Sequence, residues 1–193
     1  MPQILLASTS IFRQQLLSKL DLPFECIKPD VDETPLTFET PQEMVQRLAL
    51  AKAQAPANSS TQSLIIGSDQ CAVFAGKPIG KPHHFEKAQQ QLKAFSGQSI
   101  DFYTGLAVYD TATQKTYQAL DHTVVHFRTL SDEVITRYLE REQPLNCAGS
   151  FKSEGLGITL FKRIDSRDPN ALIGLPLIAL TDIFYELGYP LPY

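Results

Sequence analysis

Two long strand-like segments joined by a short polar turn constrain the fold of this chain more than any other feature. The segments Ser99–Tyr109 and Thr116–Phe127 are rich in β-branched and aromatic residues, and this pattern predicts a long hairpin. Elsewhere, short apolar strands alternate with amphipathic helices, as in βαβ units. Because a hairpin interrupts that alternation, the sequence predicts an α/β or α+β fold with a mixed sheet, and not a purely doubly wound one.

The alternation begins with the apolar run Ile4–Ala7, which predicts a strand, followed by a hydroxyl-rich turn and an amphipathic helix. A later Thr-Pro-Gln-Glu run supplies an N-cap, a proline at the first helical position and a glutamate at N3, so a helix is expected to begin at Pro41. The other predicted elements are strands at 24–27, 64–67 and 71–74, and helices from 41 to about 54, over 85–95, from 132 to just before Pro144, and over 175–187.

The length and the charge of the chain limit what it can be. Its 193 residues are enough for one full core and too few for two ordinary domains, so we expect a single domain over 1–193 with two lobes around a cleft. The 17 Lys and Arg residues against 21 Asp and Glu residues give a net charge of -4, which disfavours a nucleic-acid polymer as partner. A small phosphate ligand remains compatible, because a few basic residues can be concentrated in one cleft.

The cysteines and histidines give no sign of a metal centre. Cys26, Cys71 and Cys147 lack any C-x-x-C spacing, which argues against a disulfide framework or a zinc site and favours a reducing cytoplasm. His122 and His126 are expected to share one strand face without further ligands, so we interpret them as structural.

The N-terminal segment has no basic stretch before its short apolar run, and we expect neither export nor a membrane-spanning segment.

The turn after the first predicted strand contains the groups of a phosphate site. Ser8, Thr9 and Ser10 offer hydroxyls, the helix N-terminus offers backbone N–H groups, and Arg13 offers a guanidinium for bidentate contact. The alternative is that Ser10 only caps the helix and that Arg13 is a solvated surface residue. The common nucleotide-binding fingerprints, G-x-x-x-x-G-K-[ST] and G-x-G-x-x-G, are absent from the sequence.

Two acidic residues lie directly after predicted strands. Asp69 follows the apolar run 64–67, where a carboxylate can hold a divalent cation or accept a proton from water; the alternative is an Asx-turn cap. Glu33 lies in the loop after the strand 24–27, and the two carboxylates could share one Mg²⁺ or Mn²⁺. Three lysines in or near such loops could neutralise phosphate oxygens, although each one alone is typical of a solvated charge: Lys52, Lys77 and Lys81.

Seven short motifs are spread along nearly the whole chain. In chain order they are Ala7-Ser8-Thr9-Ser10-x-x-Arg13-x-x-Leu16-Leu17, Val31-Asp32-Glu33-Thr34, Gly67-Ser68-Asp69-Gln70, Gly80-Lys81-Pro82, Tyr103-Thr104-Gly105, Ala148-Gly149-Ser150-Phe151 and Gly174-Leu175-Pro176-Leu177. In combination they resemble the Maf family. The resemblance implies a nucleoside triphosphate pyrophosphatase with an elongated α/β fold like that of the inosine triphosphatase group, a central mixed β-sheet flanked by helices, and an active site in a cleft. It also implies a divalent cation (Mg²⁺, Mn²⁺ or Co²⁺) and leaves a homodimer open.

Gln70 indicates the branch of the family, because the branch that acts on canonical pyrimidine triphosphates typically has a threonine there. With Phe12 and the segment 152–155, the chain resembles the branch that hydrolyses 7-methyl-GTP to 7-methyl-GMP and diphosphate. The specificity positions carried over are Phe12, Gln70 and Glu154. Phe12 would stack on the cationic 7-methylguanine and Glu154 would accept its N–H groups; the alternative is that Phe12 packs in the core. Gln70 would either read a base edge or only orient the carboxylate of Asp69. Ile11 and Phe12 depart from a proline and a tryptophan that are frequent there.

The resemblance also implies roles in hydrolysis of a small-molecule nucleotide. We expect a water to attack the α-phosphorus in line, with Asp69 as proton acceptor and metal ligand and Glu33 as a second carboxylate on the cation. The expected phosphate-binding residues are Ser8, Arg13, Lys52 and Lys81. Two alternatives stay open: hydrolysis of canonical pyrimidine or other noncanonical triphosphates, and nucleotide-dependent regulation of cell division or septum formation without hydrolysis.

Overall fold

Strands and helices alternate through residues 2–56 and 62–192, the part of the chain that the computed structural model describes. In chain order they are β1 (Gln3–Ala7), α1 (Ile11–Ser18), β2 (Glu25–Ile27), α2 (Pro41–Gln54), β3 (Ser63–Phe74), β4 (Lys77–Ile79), α3 (Phe85–Phe95), β5 (Ser99–Asp110), β6 (Lys115–Phe127), α4 (Asp132–Glu142), β7 (Phe161–Asp165) and α5 (Leu177–Glu186). Short 3₁₀ turns lie at Ala148–Ser150, Leu156–Leu160 and Ala171–Ile173. Every predicted helix is present within about two residues of its expected ends.

The strands form a mixed sheet in the order β2-β1-β3-β5-β6-β7, and β4 also pairs with β3. β1 runs parallel to β2 and β3, with Leu6 opposite Cys26 and Ile66, whereas β4 and β7 run antiparallel to β3 and β6. β5 and β6 are neighbours joined by a short turn, so the predicted hairpin is confirmed. The predicted mixed α/β fold is confirmed with it.

The chain divides into two compact units. The first unit comprises Met1–Gln70, Thr104–Asp121 and Asp168–Tyr193, and the second comprises Cys71–Tyr103 and His122–Arg167. The core of the first unit is aliphatic except for Phe184, and most of it comes from β1, β3, β5, α1 and α5. Its buried side chains are Ile4, Leu6, Leu16, Leu17, Leu22, Leu64, Ile66, Leu106, Val108, Leu175, Leu177, Leu180, Ile183, Phe184 and Leu191. Two lobes around a cleft in a single domain stay a prediction.

The core of the second unit is aromatic. The rings of Phe102, Phe127 and Phe161 each pack edge-to-face against that of Phe151, with centroids 4.8 to 5.7 Å apart. Phe95 packs against Phe127 at 5.6 Å. Aromatic pairs in these geometries contribute beyond the area that they bury, so this cluster fixes how the 3₁₀ turns of the second unit pack on its strands.

Two glycines let helix α2 lie unusually close to the sheet within the first unit. A Cβ at Gly67 would overlap the carbonyl oxygen of Ala49 and would stand 2.6 Å from the amide nitrogen of Ala53. A Cβ at Gly105 would overlap the carbonyl oxygen of Val45. At Gly67 the helix has two fully buried alanines, Ala49 and Ala53, so no large side chain separates the helix from the strand there. This close packing brings the C-terminal half of α2 onto β3.

Strand β3 differs from its prediction. The sequence suggested a strand at 64–67 and a separate run from Cys71, with Asp69 at a strand end, but β3 is continuous over Ser63–Phe74. The expectation of a strand end at Asp69 is therefore wrong. The parallel pairing of β3 with β1 stops at Ile66, however, so Asp69 lies beyond the carboxyl end of that pairing. Among the described residues, no helix is long and apolar enough to cross a membrane.

Candidate active site

A buried lysine joins two carboxylates in the first unit. The ammonium nitrogen of Lys52 lies 2.7 Å from Oδ1 of Asp69 and 2.6 Å from Oε1 of Glu33. The side chains of Lys52 and Asp69 are only 7% and 12% exposed, whereas Glu33 is 61% exposed. We call these three residues the charged cluster. Its lysine is not the solvated surface charge that a lone lysine usually is, and its aspartate is bound by a side chain and not by an Asx-turn amide.

The close packing of α2 explains why Lys52 is buried. Lys52 belongs to the last turns of a helix that starts at a capping box, in which Thr40 accepts the amide of Glu43 and Glu43 accepts the amide of Thr40. Because Gly67 lets this helix approach β3, the ammonium of Lys52 reaches Asp69 two residues farther along that strand. The helix whose start was predicted from the capping box therefore carries Lys52 into the site.

Burial raises the pKa of Asp69 above its ordinary value. The ammonium of Lys52 opposes this rise through its charge and its hydrogen bond, and the guanidinium of Arg13 opposes it through its charge, whereas the nearby carboxylate of Glu33 adds to it. A carboxylate with a raised pKa is a better proton acceptor than an ordinary aspartate. Asp69 is therefore suited to accept a proton from a bound water.

Arg13 is anchored by a backbone carbonyl. Its Nε donates to the carbonyl oxygen of Gly174 at 2.9 Å, and the hydroxyl of Ser68 lies 2.9 Å from the same oxygen and 2.8 Å from that of Gly105. Burial lowers the pKa of the Arg13 guanidinium, while the charges of Asp69 and Glu33 raise it. The alternative of a solvated surface arginine is wrong, because this side chain is half-buried and its Nε is bound to the carbonyl of Gly174.

The serines of the first turn have separate roles. Ser10 is the N-cap of α1 and accepts the amide of Arg13, as the capping alternative required. Ser8 is buried, and its hydroxyl oxygen accepts the amide of Ser10 at 3.1 Å. Thr9 is exposed between them. The turn is therefore shaped by its own hydroxyls.

Gln70 is held by a second set of carbonyls. Its amide nitrogen lies 2.9 and 3.0 Å from the carbonyl oxygens of Ala171 and Leu172 and 3.1 Å from the hydroxyl oxygen of Thr104, so three acceptors share its two hydrogens. Thr104 in turn donates to Ala171 at 2.9 Å. We call the carbonyl oxygens of Ala171, Leu172 and Gly174 the carbonyl turn. Because protein acceptors take up its amide nitrogen, Gln70 has its side-chain oxygen, an acceptor, to offer a ligand.

Asp168 stabilises the carbonyl turn from the other side. One carboxylate oxygen accepts the backbone and side-chain nitrogens of Asn170 at 2.8 Å each, and the other accepts the amide of Ile178 in the first turn of α5 at 2.6 Å. Asp168 is 1% exposed. A carboxylate at a helix N-terminus is favoured by the free N–H groups and the helix dipole.

Sequence reasoning missed three of these residues. Ser68 and Thr104 stand inside quoted motifs, directly beside a glycine that packs on α2, and those glycines were the signal that could have pointed to them. Asp168 begins an Asp-Pro-Asn run that is typical of a turn, but nothing in the sequence shows which helix it caps.

Comparison with known proteins shows which family the chain belongs to. The family described as Maf-like protein matches residues 3–187. The chain belongs to the Maf family. It is 56% identical over 193 residues to a protein of Hydrogenovibrio crunogenus named 7-methyl-GTP pyrophosphatase, covering 100% of this chain and 96% of that one. A protein of Vibrio vulnificus with the same name is 55% identical over 186 residues, which cover 96% and 95% of the two chains.

The Maf fold of this chain is similar to that of a solved structure outside these relatives. A HAM1 protein from Coxiella burnetii matches 97% of this chain and 99% of its own, with a TM-score of 0.50 and 18% sequence identity. At this identity the similarity concerns the fold alone. It supports the mixed α/β architecture expected from the Maf motifs.

The remaining predicted Maf positions are Phe12, Lys81 and Glu154. Phe12 is half-buried in the first turn of α1, where the next helical turn places Leu16 in the core. Lys81 and Glu154 belong to the second unit and are exposed; Glu154 accepts the hydroxyl of Ser153 at 3.3 Å. Lys77 in β4 is also exposed. Their roles stay predictions.

The donor set of the charged cluster suits a hard divalent cation. Among the described residues, no group of three or more His, Cys, Asp and Glu side chains is placed to hold a metal ion, and His122 and His126 pair instead with Asp101 and Asp165. Mg²⁺, however, needs only one or two carboxylates when waters and substrate phosphates complete its shell. Glu33 and Asp69 provide two carboxylates that contact the same ammonium, that of Lys52, so oxygen donors of the kind that such a cation prefers lie close together.

Proposed function

We propose that this Maf protein hydrolyses 7-methyl-GTP to 7-methyl-GMP and diphosphate. The observation that carries the proposal is the buried Asp69, held by Lys52 beside Glu33, in a chain that is 53–56% identical over nearly its whole length to relatives named 7-methyl-GTP pyrophosphatase. A carboxylate can accept the proton of the attacking water, and cationic side chains beside it can stabilise the charge on the phosphates. This arrangement suits hydrolysis of a phosphoanhydride.

In the proposed reaction, a water attacks the α-phosphorus in line with the bridging oxygen between the α- and β-phosphates. A bond forms between the water oxygen and the α-phosphorus, the bond to the bridging oxygen breaks, and diphosphate leaves with the electron pair. Asp69 accepts the proton of the attacking water, and its raised pKa favours this transfer at neutral pH.

Basic side chains stabilise the charge of the phosphates in this proposal. Nε of Arg13 is bound to Gly174, so its two terminal nitrogens are the ones that contact phosphate oxygens as a pair. Lys52 supplies a compact charge from the buried side. Ser8 and Lys81 complete the set through the resemblance to the family.

Glu33 and Asp69 would hold a divalent cation, Mg²⁺, Mn²⁺ or Co²⁺, whose chemistry at that place is to polarise phosphate oxygens and offset their charge. Their second role is to pair with the ammonium of Lys52 when no nucleotide is bound. The cation requirement, the cytoplasmic location and a homodimer stay predictions.

Base selection would use acceptors and one aromatic ring. N7-methylation makes guanine cationic, so the ring of Phe12 can stack on it with a cation–π contribution, and the carboxylate of Glu154 can accept its N1–H and N2–H groups. Gln70 presents an acceptor oxygen as well. All polar groups assigned to the base are thus acceptors, which favours a purine with several N–H donors.

A substrate panel tests the proposal. Diphosphate release is measured from 7-methyl-GTP, GTP, UTP and dTTP with Mg²⁺, Mn²⁺ and Co²⁺, and we expect 7-methyl-GTP to be preferred. Asp69→Asn keeps the shape of the side chain and removes the proton acceptor, so turnover should fall about 10²- to 10⁴-fold. Equal rates with UTP and 7-methyl-GTP would contradict the specificity, and full turnover of Asp69→Asn would contradict the assigned role.

A further inference from the structure

The ammonium of Lys52 lies between Glu33 and Asp69, the two carboxylates that are expected to hold a metal ion. It contacts Oδ1 of Asp69 and Oε1 of Glu33 at 2.7 and 2.6 Å, and its side chain is 7% exposed. A cation bound by the same oxygens would meet a buried positive charge within contact distance. Two positive charges this close repel strongly when one of them is carried by a buried side chain.

We propose that Lys52 excludes divalent cations from Glu33 and Asp69 until a polyphosphate ligand binds and accepts its ammonium. Lys52 then has two roles: it controls when a metal ion can bind to the two carboxylates, and it contacts the phosphates. The proposal rests on the proposed function only for the identity of the polyphosphate ligand.

The charges of the site support this coupling. Glu33 and Asp69 contribute two negative charges, and Lys52 and Arg13 contribute two positive ones, since both Glu33 and Asp69 act electrostatically on Arg13 as well. The site is therefore balanced without a metal ion. A divalent cation alone would leave an excess of two positive charges in a partly buried place, and a triphosphate would offset that excess.

The geometry adds a second cost to binding a metal ion alone. If the cation took the carboxylate oxygens, the buried ammonium of Lys52 would lose both of its ion-pair partners, and an unpaired buried charge is strongly unfavourable. Phosphate oxygens provide new partners. By thermodynamic linkage, a nucleotide that tightens metal binding must itself be bound more tightly in the presence of the metal by the same factor.

Mn²⁺ binding, followed by the loss of the free-ion signal in electron paramagnetic resonance, tests the proposal without turnover. The probe for the phosphates is inorganic tripolyphosphate, which carries no base. For the wild-type protein, we expect Mn²⁺ to bind about tenfold or more tightly when tripolyphosphate saturates the protein, a coupling within the usual range. Because tripolyphosphate itself binds Mn²⁺, the titration is compared with one that contains tripolyphosphate and no protein.

Lys52→Met has nearly the same length and no charge, so Mn²⁺ should bind it about tenfold or more tightly than the wild type in the absence of tripolyphosphate, and the coupling should shrink. The double variant that combines Glu33→Gln with Asp69→Asn should not bind Mn²⁺ at this site. Equal Mn²⁺ affinity of Lys52→Met and wild type would overturn the proposal, as would binding that survives the double substitution.

If Lys52→Met does not fold, the wild-type titrations decide alone, since unchanged Mn²⁺ affinity with and without tripolyphosphate would also overturn it. Failure of the proposed function shows differently. A chain that does not hydrolyse 7-methyl-GTP but shows these Mn²⁺ responses keeps the inference and loses the substrate.

Discussion

The charged cluster and the carbonyl turn hold neighbouring residues of the candidate site by different means. The charged cluster consists of three side chains that bind one another by ion pairs. The carbonyl turn consists of backbone oxygens, which accept from Arg13, Gln70 and Thr104 and are themselves fixed by Asp168. One region depends on side-chain charges and the other on backbone conformation.

This difference separates two tasks of an active site. An ion pair can exchange its partner for a ligand of the same charge, so the charged cluster can rearrange when phosphates or a cation arrive. A backbone carbonyl moves only when its own peptide moves, and Asp168 ties this turn to Asn170 and Ile178, so we expect the carbonyl turn to keep Arg13 and Gln70 oriented before any ligand binds. We therefore expect substitutions in the two regions to fail in different ways.

The largest effect on stability is expected at Gly67, where helix α2 packs on β3 and so positions Lys52 of the charged cluster. Gly67→Ala places a methyl group into the backbone of α2 at Ala49 and Ala53, so the helix must move away and take Lys52 with it. The free energy of unfolding, measured by urea denaturation, should fall by about 3 kcal/mol. Gly80→Ala is the control, because a Cβ there meets nothing within 4 Å, and it should change stability by less than about 0.5 kcal/mol. Equal stability of the two variants would show that α2 is not seated by Gly67.

The next effect separates charge from orientation. Arg13→Lys keeps a positive charge, but a lysine cannot donate to Gly174 and contact phosphate with two further nitrogens in one plane. We expect kcat/KM for 7-methyl-GTP to fall about 10- to 100-fold, with little change in the thermal midpoint. Gln15→Ala, at an exposed position of the same helix, is the control and should keep its activity. A fully active Arg13→Lys would mean that the carbonyl turn does not orient this residue for catalysis.

Local patterns in the sequence were sufficient to predict the elements that carry these residues. The capping box of α2, the cap of α1 and the hairpin of β5 and β6 depend on neighbours a few residues apart, and all three are confirmed. The predicted strand end at Asp69 was wrong, because β3 continues through this residue. The polar residues at 68–70 resemble a turn when their tertiary partners are unknown. Only the fold supplies Lys52, Thr104 and Gly174 as those partners.

The candidate site shows the same limit. Asp69, Glu33 and Lys52 were each singled out from the sequence, but the arrangement in which one ammonium joins both carboxylates follows from the closeness of α2 to the sheet. No periodicity reveals that distance. The carbonyl turn was invisible for a related reason, since a backbone oxygen has no letter in a sequence and only its glycine motif marked the place.

A smaller effect tests how Gln70 is oriented. Thr104→Val keeps the shape of the side chain but removes the hydroxyl that accepts from Gln70 and donates to Ala171. Two carbonyl acceptors still hold Gln70, so the preference for 7-methyl-GTP over UTP, measured as the ratio of kcat/KM values, should fall only about two- to tenfold. Thr104→Ser keeps the hydroxyl and should restore the ratio. A ratio that drops equally in both variants would point to packing and not to the hydroxyl.

The smallest effect is a pH dependence that belongs to the charged cluster alone. Because burial raises the pKa of Asp69, the folded protein retains this proton at pH values where the unfolded chain has lost it. Its contribution to the free energy of unfolding is full below the unfolded pKa and is lost as the pH rises through the folded pKa. Asp69→Asn removes the titration. The difference in unfolding free energy, wild type minus Asp69→Asn, should therefore shrink as the pH rises above the ordinary aspartate range.

A second aspartate gives the opposite sign and serves as the control for that titration. His126 and Arg163 lower the pKa of Asp165 by hydrogen bonds and charge, so its contribution is present above the unfolded pKa and is lost as the pH falls through the folded one. Urea denaturation across a pH series should show the difference for Asp165→Asn growing with pH while that for Asp69→Asn shrinks. If both differences grew with pH, the attraction of Lys52 would outweigh the effect of burial on the pKa of Asp69.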